Sequence, residues 1–175
     1  MTVAASCASA TGFVADPVLL KAIVHGVDSA LVMCNTAVRC VGVSAIPSRD
    51  PGSVTGLIGV HGEVSGFITV NMSEKMAVSL VSGLLQDQFT ALSHEILDGV
   101  GEITNILAGG VKNALTNTPW GFRHVTVPSV IVGQNYQIAY AKGLQYLAAT
   151  FEQQGPSPLL FADRILQVAI SLIKL

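Results

Sequence analysis

Between Leu92 and Ala114 the apolar residues return at the spacing of an α-helix. With residues set about 100° apart, Leu92, Ile96, Val100, Ile103, Leu107, Val111 and Ala114 share one side. A stripe of that length must be buried against other elements, so this helix has to be one layer of a packed domain. Ser93 or a residue near it is the predicted start, and the helix should run to about Asn117, where Pro119 and Gly121 stop it. Four glycines (Gly99, Gly101, Gly109 and Gly110) interrupt it, each costing about 0.8–1 kcal/mol relative to alanine. A helix that keeps them needs bare backbone for something.

The elements that could cover the stripe are a mixture of helix and strand. Asp16-Pro17 has the form of an N-cap followed by proline at the first helical position, and the apolar period behind it predicts a helix ending near Asn35. A strand is expected over Ala37–Ile46, then a turn cluster from Pro47 to Ser53. Val54–His61 and Glu63–Asn71 predict a β-hairpin hinged at His61-Gly62. Its glycines, Gly56, Gly59, Gly62 and Gly66, suit twist and tight turns and do not make a phosphate loop, because no helix N-terminus follows at the required spacing. Ser73 caps the next predicted helix, which carries Met76, Ala77, Leu80, Val81 and Leu84. Past the long helix, Arg123–Val132 is strand-like, with Pro128 marking an edge or a bulge. Leu144–Gln153 and Leu159–Leu172 predict a final strand pair, although the second also fits a helical period. The expected class is α+β: an antiparallel sheet covered by long helices, one domain over residues 16–175 behind a loose tail of residues 1–15.

Composition removes several functions. Half of the residues are hydrophobic and 11% are charged, too apolar for a disordered chain. Asn35, Arg39, Asp163 and Arg164 break the apolar stretches before any reaches the ~18 residues a membrane helix needs. The formal net charge is −2, without a basic run, so nucleic acid is not an expected partner. Residues 1–13 lack a basic, apolar leader, and the three cysteines (Cys7, Cys34 and Cys40) form no C-x-x-C pair, which together predict a cytoplasmic protein.

Opposite the apolar stripe of the long helix lie Asp98, Glu102, Asn105 and Gly109, with His94, Gly101 and Lys112 beside them. Glu102 and Asn105 are three residues apart and therefore neighbours on that surface. Two readings of the glycines stay open at this point. Gly101 and Gly109 clear a landing platform around a carboxylate and an amide, or the glycines admit a second helix of the same fold.

The segment Asp98-Gly99-Val100-Gly101-Glu102-Ile103-Thr104-Asn105, followed by Gly109, resembles the D-x-x-G-E-x-x-N-x-x-x-G pattern of the CheC/CheX chemotaxis phosphatases. The likeness extends to the order of elements, including the hairpin GVHGEVSGFITVNMS and the strand VTVPSVIVG, and covers roughly residues 16–172. A single motif helix places the chain on the CheX side, since CheC-type members carry two. The resemblance implies hydrolysis of the aspartyl phosphate of a CheY-like response regulator, with Asn105 orienting the attacking water and Glu102 docking on the partner's lysine. Asp98, Gly101 and Gly109 then belong to the partner-docking surface. The Mg2+ comes with the phosphorylated partner, and no cofactor of the chain's own is implied. A homodimer is implied too, with the strand around Val125–Val132 as one candidate edge.

Two other functions compete. A module of the same fold could bind a response regulator without turnover, although such a binder has no need of the amide. A metal-dependent hydrolase would draw on His94, Asp98 and Glu102, spaced i, i+4, i+8 on one face, but a single helix seldom closes a metal site alone. His25, His61 and His124 are scattered, Cys34 and Cys40 suit small buried positions, and Trp120 suits a plug at one end of the core, with a dimer contact as its alternative.

Overall fold

The computed structural model describes residues 15–47, 52–134, 136, 138, 143–155 and 160–175. Nearly all of the expected tail, and Cys7 with it, lies outside the described residues, while Ala15 already packs on the core. Helix α1 spans Pro17–Met33, and the Asp16 carboxylate caps it by accepting from the Val18 and Leu19 amides at 2.9 and 3.3 Å. Strands β1 (Val38–Ser44), β2 (Val54–Gly62) and β3 (Val64–Met72) follow, then α2 (Glu74–Leu85) behind its Ser73 cap. Helix α3 runs from His94 to Leu115, with Ser93 accepting from the Ile96 amide. The chain continues through β4 (Phe122–Val125), β5 (Ser129–Val132) and β6 (Gln145–Gln153), then a short 3-10 turn (Phe161–Arg164) and β7 (Ile165–Lys174). The segment expected as one strand over 123–132 is therefore two, broken at Thr126–Pro128, and the ambiguous last segment is a strand.

All pairings are antiparallel, in the order β1-β6-β7-β3-β2, with β4 and β5 one after the other along the far edge of β2. This is an α+β fold, a seven-stranded sheet packed against three helices among the described residues. Strand alternation divides the sheet's two faces. Val64, Ile68, Val70 and Met72 of β3, and Leu166, Val168, Ile170 and Leu172 of β7, join the core with the helices. Thr69, Asn71, Ala169 and Ser171 point to the other face, where the Thr55 hydroxyl donates to Asn71 Oδ1 at 2.8 Å and also bonds the Tyr136 hydroxyl.

Three close approaches seat α3. Thr104 is buried, spends its hydroxyl on the Val100 carbonyl at 2.8 Å, and presses on β2 where Gly56 has no side chain. A Cβ on Gly56 would collide with the Thr104 hydroxyl, so this glycine serves a helix–sheet contact rather than the twist expected of it. A Cβ on Gly99 would lie 2.5 Å from Val81 of α2. A Cβ on Gly110 would lie 2.8 Å from the Gly26 Cα of α1, so the two helices meet backbone to backbone.

Trp120 fills the end of the core as expected. Its indole N–H donates to Asp16 Oδ2 at 2.8 Å, and the Lys174 ammonium sits 4.6 Å from the ring centre. The cap of α1 is thus shared with the segment that ends α3. Cys34 is buried, and burial pushes its thiol up to about 11, whereas Cys40 is exposed on β1. Among the described residues no helix is long and apolar enough to cross a membrane.

Candidate active site

Seating α3 on β2, α1 and α2 decides which of its residues stay outside. Ile96, Val100, Ile103, Leu107, Val111 and Leu115 are buried, and so are Gly99, Thr104, Ala108 and Gly110 on either side of that stripe. Asp98, Glu102 and Asn105 remain exposed. Their spacing, i, i+4 and i+7, sets them one above another along a single ridge, with Glu102 and Asn105 about 4.5 Å apart along the helix axis. His94 and Glu95 stand at the start of the same helix, and the Ser93 hydroxyl holds the Glu95 carboxyl below its usual range.

The ridge forms one wall of an open groove of about 620 Å³. Leu97, Asp98, Gly101, Glu102 and Asn105 line it from α3, and Val125 to Pro128 with Val130 line it from the edge of the sheet. The four helix glycines do not share one role. Gly99 and Gly110 admit neighbouring helices of the fold, whereas Gly109 has no atom within 4 Å of where its Cβ would stand. Gly101 is buried on the groove floor, 3.8 Å from the Pro128 ring and 3.9 Å from Val130 measured at its absent Cβ. Bare backbone is a necessity at Gly99 and Gly110 and an opening at Gly109.

The wall opposite the ridge was not anticipated as part of the site. Pro128 in the middle of a strand-like segment was the available signal of a bulge, but its position across from Glu102 depends on how α3 lies over β2. His94, Asp98 and Glu102 do share a face of α3, yet among the described residues no group of three or more His, Cys, Asp or Glu side chains could hold a metal ion. What the arrangement offers is a carboxylate and a neutral carboxamide, side by side at the surface of a rigid helix, reachable by a group carried on another molecule.

The model of the family described as Chemotaxis phosphatase CheX matches residues 54–152, more than half of the chain. The chain belongs to the CheX family. The matched span runs from the start of β2 almost to the end of β6 and takes in α3 and both walls of the groove. No curated protein sequence matches. Among solved structures, CheX from Desulfovibrio desulfuricans is similar at 21% identity and a TM-score of 0.72, covering 87% of this chain and 98% of its own. CheX from Vibrio vulnificus is similar at 22% identity and 0.71, covering 90% and 97%. A third, from Borrelia burgdorferi, is a CheX–CheY–BeF3–Mg2+ complex, at 21% identity and 0.71, covering 89% and 98%. At these identities the structures establish the fold, and the CheX family match carries the activity class: a chemotaxis phosphatase.

Proposed function

We propose that this chain hydrolyses the aspartyl phosphate of a CheY-like receiver, with Asn105 and Glu102 acting from the exposed ridge of α3. The observation that carries the reading is their joint exposure beside an open groove, in a chain of a phosphatase family. An acyl phosphate needs a water oxygen held in line with the P–O bond to the aspartate carboxylate. That oxygen bonds to phosphorus, the aspartate leaves as carboxylate, and the water's protons pass to the phosphate and to solvent. A carboxamide both donates and accepts, so Asn105 can hold the water and orient its lone pair. Its neutrality matters, because a second carboxylate there would repel the phosphoryl oxygens.

Glu102 serves the approach: its carboxylate forms a charge-assisted bond with the receiver's lysine and sets the register in which Asn105 meets the phosphoryl group. Asp98 and the opening at Gly109 extend the same docking surface. The Mg2+ belongs to the receiver, in keeping with the similar Borrelia burgdorferi protein, whose complex holds CheY, BeF3 and Mg2+. We infer a homodimer as well, as the family resemblance implies; β1 forms one edge of the sheet, and β4 and β5 form the other. Light scattering of the purified protein tests that point, with a monomer's mass as the contrary result.

The test of function is the decay of a phosphorylated CheY-like receiver with and without this protein. Acceleration that saturates with receiver, and that Glu102→Ala shifts to higher receiver concentration, is the expected result. A decay rate unchanged by the protein would leave a regulator-binding module of the same fold. Stoichiometric zinc or iron in the purified protein would favour the metal-dependent hydrolase instead.

A further inference from the structure

The groove's second wall is a bulge with a particular construction. Strand β2 pairs Val60 with Val125 of β4 and Leu57 with Ser129 of β5. Between those pairs β2 contributes Ile58 and Gly59, while the facing chain contributes Thr126, Val127 and Pro128. Three residues against two must buckle outward. Thr126 pins the buckle twice at Gly59. Its amide donates to the Gly59 carbonyl at 2.9 Å, and its hydroxyl oxygen accepts from the Gly59 amide at 2.9 Å. The absence of a side chain on Gly59 makes room for this, since a Cβ there would stand 2.9 Å from Thr126 Cγ2. Pro128 has a fixed φ and rests over Gly101. Val127, held between them, is 85% exposed and lines the same groove as Glu102 and Asn105.

We propose that Val127 is a specificity-determining contact, on which an apolar side chain flanking the receiver's phosphoaspartate packs when Glu102 and Asn105 engage. The proposal rests on the phosphatase reading for its partner. Val127 lines the same groove as Glu102 and Asn105, so its surface is continuous with the proposed docking site, and a receiver that brings its phosphoaspartate to Asn105 would lie against this wall. The partner surface is therefore mixed: a basic point for Glu102 and Asp98, and an apolar point for Val127. A β-branched side chain on a pinned bulge loses little freedom on being covered, which is the condition under which a small apolar contact adds to affinity. Val127 takes no part in the chemistry; it selects which receiver is seated.

The experiment titrates a CheY receiver loaded with Mg2+ and BeF3 into wild type, Val127→Asp, Val127→Ile and Asn105→Ala, and measures turnover of phosphorylated receiver and molecular mass for the same proteins. Val127→Asp should weaken binding and raise KM by about ten-fold or more with kcat preserved, while Val127→Ile stays within about two-fold of wild type. Asn105→Ala should keep the binding and lose the turnover. Val127→Asp indistinguishable from wild type in binding and KM would overturn the proposal. So would a change in mass with KM unmoved, which would make Val127 a contact between copies of this chain. If wild type binds without accelerating hydrolysis, the catalytic reading fails while the contact is still decided by Val127→Asp. If wild type does not bind, both fail.

Discussion

Gly109 and Gly110 are adjacent in one helix, and replacing each by alanine should change stability in opposite directions. Both substitutions remove the same intrinsic penalty, about 0.8–1 kcal/mol per residue in a helix interior. At Gly109 nothing else changes, because no atom lies within 4 Å of the new methyl. Gly109→Ala should therefore stabilise by nearly the whole amount, about 1 kcal/mol, raising Tm by about 2–4 °C for a chain of this size. At Gly110 the methyl would arrive 2.8 Å from the Gly26 Cα, with Ser29 Oγ and Cβ at 3.0 and 3.2 Å. Comfortable carbon–carbon separation is about 3.5–4.0 Å, and a backbone atom cannot rotate aside, so α1 and α3 have to separate by roughly 1 Å. Overpacking of this kind costs about 1–3 kcal/mol, and the backbone partner places it at the upper end. Net of the propensity gain, Gly110→Ala should destabilise by about 2 kcal/mol and lower Tm by about 4–8 °C. Urea unfolding followed by far-UV circular dichroism measures both. Gly26→Ala should match Gly110→Ala, since its Cβ would meet the Leu107 carbonyl at 2.7 Å and Val111 at 2.6 Å. Alanine stabilising at both 109 and 110 would refute the helix contact and, with it, the seating that exposes Glu102 and Asn105.

Trp120→Phe removes the N–H bond to Asp16 together with part of the indole's packing on the core, and should cost about 2 kcal/mol in a thermal melt, with Asp16→Asn in the Phe background, which keeps a capping oxygen, adding little. Cys40 should react with a maleimide within minutes, whereas Cys34 should react only on the timescale of opening. Because the folded Cys34 thiol binds its proton more tightly than the unfolded one, its contribution to stability is complete below pH 9 and is lost as pH rises toward about 11. Unfolding of wild type and Cys34→Ala across that window checks the sign: the wild type should lose more stability than the variant.

Most of the element boundaries were legible because they rest on local chemistry. Asp16-Pro17, Ser73 and Ser93 announce helix starts through a side chain and its own next few amides, and each cap forms as expected. The last strand was harder to read. In Ile165–Lys174 the core-facing Leu166, Val168, Ile170 and Leu172 alternate, but Ile165, Ala169 and Ile173 add apolar residues on the other face, and Ile165, Val168, Ala169 and Leu172 also fit a helical spacing. The glycines divided along the same line. Nothing within the hairpin indicates that Gly56 faces Thr104 or that Gly59 faces Thr126, because those contacts join elements far apart in sequence. The same cause hid half of the site. Glu102 and Asn105 could be placed on one outward face from the period of α3 alone, while Val127 and Pro128 became visible only once the helix lay over β2.

In the proposed reaction Asn105 holds the attacking water. The most direct measurement is the initial rate of dephosphorylation at saturating phosphorylated CheY-like receiver, for wild type and Asn105→Ala of equal thermal stability. Loss of a water held in line should lower kcat by about 100-fold or more, with KM little changed. An Asn105→Ala protein that turns over at the wild-type rate would contradict the claim.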